Sequence, residues 1–129
     1  MRYRLIPLAF PMILAGCATM PQDPWSEVTG ERRHVAIADR GPVNVVSIGG
    51  RSAWASGRPT MVEPGTHRIV VESLPHGGFR GGRTQAFELA LEPCKRYHVN
   101  AQFESAISAS YKPVVDAVIP IPGCPAGKG

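Results

Sequence analysis

"TQAFELALEPCKRYHVNAQFE", residues 84–104, contains two runs in which apolar and polar side chains alternate. Every second side chain of each run is apolar, first at Phe87, Leu89 and Leu91 and then at Tyr97, Val99, Ala101 and Phe103. A period of two is typical of a β-strand, whose successive side chains point to opposite faces. The polar positions between them predict one face in contact with water. The stretch therefore predicts two strands separated by a turn signal at "EPCK".

The same pattern extends outward along the chain. Further strand-like runs are "VNVVSIGG" from residue 43, "THRIVVESL" from residue 66 and "YKPVVDAVIPI" from residue 111. Turn signals separate the runs, and the chain holds 14 glycines and 13 prolines. The sequence therefore predicts an all-β fold, a small antiparallel β-sandwich of about six or seven strands. A short helix near residues 104–110 is the weaker alternative for that segment.

The amino-terminal stretch "MRYRLIPLAFPMILAGC", residues 1–17, has the features of a secretory signal. Arg2 and Arg4 precede an uncharged apolar run. As a helix, that run of about eleven residues would rise about 16 Å. This is too short for a bilayer core of about 30 Å. A basic start, a short apolar run and small residues at its end predict a signal peptide.

The signal ends in Leu14-Ala15-Gly16-Cys17, which resembles the bacterial lipobox. The resemblance implies that the Cys17 thiol receives a diacylglycerol and that the chain is cut before this residue. It divides the chain into a lipoprotein signal peptide at 1–16, a lipidated flexible tether at 17–32 and a β-sandwich domain at 33–129. Alanine, and not aspartate, at position 18 favours the periplasmic face of the outer membrane over the inner membrane.

The cysteine count predicts one disulfide bond. The chain has three cysteines, and lipidation of Cys17 leaves Cys94 and Cys124. An oxidising periplasm favours their pairing, which would pin the carboxy-terminal tail to the sheet. A redox pair or a metal site would require a CxxC motif or nearby histidines. The four histidines have no ligand spacing, so we expect no metal and no cofactor.

A further resemblance concerns residues 43–103. "VNVVSIGG" followed by "RPTMVEPGTHRIVVES" is similar to PEGA-like and related immunoglobulin-like modules of bacterial surface proteins. "FELALEPCKRYHVNAQF" also resembles the later half of small periplasmic lipoproteins of unknown role. In such modules a tight turn precedes an apolar strand, and Pro64 and Gly65 suit that turn. The resemblance implies a small immunoglobulin-like β-sandwich of uncharacterised role and carries over no catalytic residues.

Two loops are candidate binding surfaces. "HGGFRGGR", residues 76–83, contains Phe79, Arg80 and Arg83, which can contact a sugar ring, a phosphate or a carboxylate. The alternative is a mobile hairpin connection. "GGRSAWASGRP", residues 49–59, contains Trp54. This tryptophan marks a partner surface if it is exposed, and covers the sandwich edge if it is buried.

Charge and motifs favour a noncatalytic role. The formal charge of +4 falls by two when Arg2 and Arg4 leave, which is weak evidence for any anionic partner. We expect no nucleic-acid partner, because the periplasm contains little nucleic acid. A hydrolase is disfavoured because no serine lies in GxSxG, and Glu88 and Glu92 fit a solvated strand face. We expect a lipid-anchored binding or scaffolding module for an envelope protein or glycan, and no enzyme. The alternative is an inhibitor of a secreted or periplasmic enzyme, acting through residues 76–83 or 49–59.

Overall fold

A computed structural model of the chain describes residues 23–33, 36–53, 59–74 and 82–125. No helix occurs within these ranges, which confirms the all-β prediction, and residues 104–110 form turns and bends. The strands are β1 (Ser26–Thr29), β2 (Arg40–Ile48), β3 (Arg51–Ser52), β4 (Thr60–Val62), β5 (Gly65–Ser73), β6 (Thr84–Leu91), β7 (Lys95–Phe103) and β8 (Tyr111–Pro120). In this part of the chain no helix is long and apolar enough to cross a membrane.

The strands form one eight-stranded sheet in the order β4-β1-β7-β2-β5-β6, with β3 on β2 and β8 on β7. The prediction of an antiparallel arrangement applies to every described strand pair except one. β1 lies parallel to β7, with Val28 opposite Tyr97. The sheet is therefore mixed, because the amino-terminal strand inserts between β4 and β7 where no hairpin dictates its direction.

Strand β2 joins the two halves of the sheet. Its residues Arg40, Gly41 and Pro42 pair with β7, whereas Val43 to Ile48 pair with β5. Both halves contribute to one core, so the sheet folds over on itself. The buried apolar cluster comprises Val28, Val43, Ile48, Ala53, Ile69, Val71, Leu91, Tyr97, Val99, Ala101, Phe103 and Tyr111. The four apolar positions predicted on β7 all belong to this cluster.

The polar face of β7 is buried, although the alternation predicts contact with water. His98 is 3% exposed and Asn100 is fully buried. The backbone of Gly30 and Glu31 lies over this face. The Asn100 side-chain amide donates to the Gly30 and Glu31 carbonyls at 3.1 and 3.2 Å, and His98 Nδ1 bonds the Glu31 carbonyl at 3.1 Å. His98 and Asn100 thus take the place of water as hydrogen-bond partners of the Gly30 and Glu31 carbonyls.

Residues near both termini are fixed to the sheet. The predicted disulfide between Cys94 and Cys124 is present, with the two Cα atoms 5.5 Å apart. The predicted flexible tether at 17–32 extends too far along the chain. β1 lies inside this range, and its Val28 side chain is fully buried. β1 pairs with β4 on one side and with β7 on the other, so it is part of the sheet. The short, polar sequence of this segment does not predict that pairing.

Candidate functional site

The pairing of β2 with β5, which run antiparallel, defines two ends of the domain. Ile48 pairs with Ile69 near one end, and Val43 pairs with Ser73 near the other. We call the first, which carries Trp25, the Trp25 end, and the second, which carries Arg83, the Arg83 end. At about 3.3 Å per residue, the nine residues of β5 separate the two ends by roughly 25–30 Å.

A groove of about 620 Å³ lies at the Trp25 end. Its apolar lining includes Trp25, Ile48 and Met61, and the Met61 side chain is 64% exposed. Trp25 is half-buried and is positioned by its carbonyl, which accepts a hydrogen bond from the Cys94 amide at 2.8 Å. Its indole Nε1 is buried and has no acceptor within the described part of the chain. The groove thus presents one aromatic and one exposed apolar side chain.

Charges of both signs surround these apolar side chains. Arg51, Asp23 and Glu63 line the groove, and each is exposed. His67 also lines it, and its Nε2 donates to the Glu63 carbonyl at 2.7 Å, which fixes the tautomer of the ring. This combination of apolar, cationic and anionic groups suits a ligand that is itself amphipathic and carries both charges.

The groove includes part of the predicted loop 49–59. Gly49, Arg51, Ser52 and Ala53 contribute to its wall. Trp54 lies outside the described residues. No local sequence pattern predicts the groove as a whole, because its walls come from residues 23–25 before β1, the end of β2, β3, β4 and the start of β5.

The Arg83 end has a fixed backbone beside exposed side chains. The Arg83 carbonyl accepts hydrogen bonds from the Ser73 amide at 2.9 Å and from the Tyr111 hydroxyl at 2.6 Å. The Arg83 amide donates to Ser73 Oγ at 3.2 Å, and its side chain is exposed. At the same end Ile107 is 84% exposed. This isoleucine is a surface residue that sequence reasoning missed.

The described parts of the two predicted loops lie at opposite ends of the domain. Arg83 belongs to the Arg83 end, whereas the described part of loop 49–59 belongs to the Trp25 end. Phe79 and Arg80 lie outside the described residues, as does Cys17. The two predicted disulfide cysteines are the site residues that the structure brings together.

A buried ionic cluster lies beneath residues 30–33. The Asp116 carboxylate accepts hydrogen bonds from Arg40 Nη1 at 2.8 Å and from the Arg33 amide at 3.1 Å. His98 Nε2 and Asn100 Oδ1 have no hydrogen-bond partner in the described ranges. Its contacts tie β2, β7 and β8 to residues 30–33.

The hydroxyl of Tyr111 has a raised pKa. Burial raises the pKa of Tyr111 to about 12, and the negative charge of Glu72 contributes to the increase. A hydrogen bond with the backbone of Ser73 acts in the opposite direction. Tyr111 packs against Phe103 in the core, with ring centroids 5.6 Å apart. Its hydroxyl therefore serves as a buried hydrogen-bond donor.

In the ranges described, no group of three or more histidine, cysteine, aspartate or glutamate side chains is placed to hold a metal ion. His34 and His76 are not among those residues. No protein-family model matches the chain, and comparison with curated proteins and with solved structures finds no significant match.

Proposed function

We propose that the chain is an exported lipoprotein, anchored through Cys17 on the periplasmic face of a bacterial outer membrane. Its β domain is a noncatalytic binding or scaffolding module for an envelope protein or glycan. The Cys94–Cys124 disulfide is the observation that supports export most directly, because such bonds persist in oxidising compartments. The lipobox-like sequence before Cys17 supports the anchor, and the PEGA-like pattern of residues 43–103 supports a binding module.

The position of Asp23 supports an orientation for this module. Cys17 and Asp23 are six residues apart, and six residues span at most about 21 Å. A lipid on Cys17 therefore holds the Trp25 end close to the bilayer. The Arg83 end lies at the opposite end of β5, where a partner in the periplasm reaches it.

The Arg83 end offers suitable contacts for such a partner. The exposed guanidinium of Arg83 can form paired hydrogen bonds with a carboxylate or a phosphate. Ile107 adds an exposed apolar side chain. The hydrogen bonds of the Arg83 backbone to Ser73 and Tyr111 reduce the entropy lost when a partner binds.

Lipidation is tested by intact mass of the protein extracted from cell membranes. We expect a mass that lacks residues 1–16 and includes acyl chains on Cys17. Globomycin, which inhibits the lipoprotein signal peptidase, should leave residues 1–16 attached. A mature protein that retains these residues without the inhibitor, or that carries no acyl mass, would overturn the proposed anchor.

Partner binding is tested by photo-crosslinking in intact cells. A photoreactive side chain replaces Ile107 in one variant and Met61, at the Trp25 end, in the matched control. We expect a discrete adduct from position 107 that Arg83→Glu weakens about fivefold or more, since a hydrogen bond to a charged group contributes about 1.5–3 kcal/mol. No adduct, or one that Arg83→Glu leaves unchanged, contradicts this surface. If the adduct is an enzyme whose activity falls on binding, the inhibitor alternative replaces scaffolding.

A further inference from the structure

We propose that the groove at the Trp25 end docks onto zwitterionic phospholipid headgroups of the membrane that holds the anchor. This inference rests on the lipid at Cys17 in the proposed function and goes beyond it. It assigns the folded domain a second contact with the bilayer, and it assigns the groove a ligand class. The contact would set the orientation of the domain on the membrane. The lipid on Cys17 alone would only limit the distance between the domain and the membrane.

Chain length brings the groove to the bilayer. Asp23 and Trp25 both line the groove, and Asp23 follows Cys17 by six residues. Even a fully extended segment keeps Asp23 within about 21 Å of the anchored residue. A folded macromolecular partner would have to enter this narrow space, whereas the headgroups are already there.

The apolar side chains of the groove fit the membrane interface. Met61 is 64% exposed, so that it loses contact with water when the groove meets the bilayer. Trp25 supplies a ring with one polar atom, a combination that suits the boundary between headgroups and acyl chains. Its Nε1 has no acceptor within the described residues, and headgroup oxygens can provide one when the indole turns outward.

The charges of the groove select the kind of headgroup. The exposed Arg51 guanidinium can bind a phosphate, and the exposed carboxylates of Asp23 and Glu63 can pair with an ammonium group. A zwitterionic headgroup carries both partners. A strongly anionic surface would satisfy Arg51 but would repel the two carboxylates, so we expect weaker docking on vesicles rich in phosphatidylglycerol.

The test uses the lipidated protein purified from cell membranes and reconstituted in phosphatidylethanolamine–phosphatidylcholine vesicles with brominated acyl chains. A fluorescent NBD label is attached through Met61→Cys at the groove, or through Ile107→Cys at the Arg83 end as the control. Because Cys94 and Cys124 are bonded and Cys17 carries lipid, the introduced thiol is the one available for labelling. Intact mass of the same sample reports the lipid on Cys17.

We expect the bromines to quench the label at position 61 and not the label at position 107. Arg51→Glu should lower the fraction of docked protein about fivefold or more, since it removes a charge-assisted hydrogen bond. The matched control Arg83→Glu should leave the quenching unchanged. Replacement of most of the phosphatidylethanolamine by phosphatidylglycerol should also reduce it.

Each other outcome has a distinct meaning. Acyl mass on Cys17 without quenching at position 61, or with equal quenching at both positions, overturns the docking and leaves the anchor intact. The absence of acyl mass overturns the proposed function itself, and the docking with it. A protein adduct from a photoreactive group at position 61 in cells would identify a protein occupant and would also overturn the docking.

Discussion

The carboxylate of Asp116 lies 2.8 Å from the guanidinium of Arg40, and the Asp116 side chain has no exposed surface. The same carboxylate accepts a hydrogen bond from the Arg33 amide. One side chain of β8 thus holds β2 and the segment that covers β7. A buried ion pair of this kind contributes little over an apolar pair, but removal of one partner leaves the other charge buried and uncompensated.

We therefore expect Asp116→Ala to lower the free energy of unfolding by about 3–5 kcal/mol. Urea denaturation followed by circular dichroism would measure the change. The double variant Arg40→Met with Asp116→Leu is the control, and it should lose less stability than Asp116→Ala because no charge remains buried. If Asp116→Ala lowers the free energy of unfolding by less than about 0.5 kcal/mol, water solvates the Arg40 guanidinium in place of the carboxylate, which contradicts this prediction.

Gly30 should tolerate no side chain. A Cβ atom at this position would overlap the carbonyl group of Val43, whose amide donates to the Gly30 carbonyl at 3.1 Å. Since backbone must move to accommodate it, Gly30→Ala should cost about 3 kcal/mol or more. Gly41→Ala is the matched control, because its Cβ would meet Phe103 at an ordinary 3.4 Å. Equal melting temperatures for the two variants would contradict the close approach at Gly30.

The disulfide should contribute substantially to stability. Cys94 and Cys124 are 30 residues apart, and a bond that closes such a loop contributes about 3–4 kcal/mol in the chain-entropy model. Replacement of both cysteines by serine should lower the unfolding free energy by this amount. Dithiothreitol should lower the melting temperature of the native protein and leave that of the double variant unchanged. Insensitivity of the native protein to complete reduction would argue against a stabilising bond.

Tyr111 should make stability fall at high pH. The pKa of its hydroxyl is raised from 10.0 to about 12, chiefly by burial. Between these values the unfolded chain releases the proton while the native protein retains it, so a rise in pH favours unfolding. The contribution is complete below pH 10 and is lost as the pH rises through 12.

The measurement is urea denaturation of the native protein and of Tyr111→Phe from pH 8 to pH 12. At pH 8 the variant should be about 0.5–1.5 kcal/mol less stable, because it lacks the hydrogen bond to the Arg83 carbonyl. The difference between the two proteins should shrink as the pH rises above 10. Parallel curves across this range would show that the Tyr111 hydroxyl ionises alike in both states.

Local patterns in the sequence predict the strands but not what covers them. The alternation in residues 84–104 correctly separates Tyr97 and Val99 from His98 and Asn100. It cannot show that the second pair is buried, because Gly30 and Glu31 cover it from a distant part of the chain. The parallel position of β1 is unpredictable for the same reason. A direction of pairing between distant strands depends on topology, which no local period encodes.

For the candidate site residues, too, local sequence predicts some features, whereas others depend on how distant segments come together. The cysteine count predicts the bond between Cys94 and Cys124, since it leaves one possible pair. Arg83 is recognisable from its glycine-rich surroundings, but its separation from loop 49–59 requires the register of β2, β5 and β6. The groove beside Trp25 is assembled from three separate stretches of the chain, so no single motif predicts it.

The insertion of β1 between two strands has a mechanical consequence. Both of its edges are paired, with Glu27 opposite Met61 on one side and opposite Arg96 on the other. A pull at the amino terminus acts along this strand, so that its cross-strand hydrogen bonds are loaded in shear and must yield together. The force needed to unfold the domain by pulling on its amino terminus should thus be much higher than for a domain whose edge strand detaches one hydrogen bond at a time.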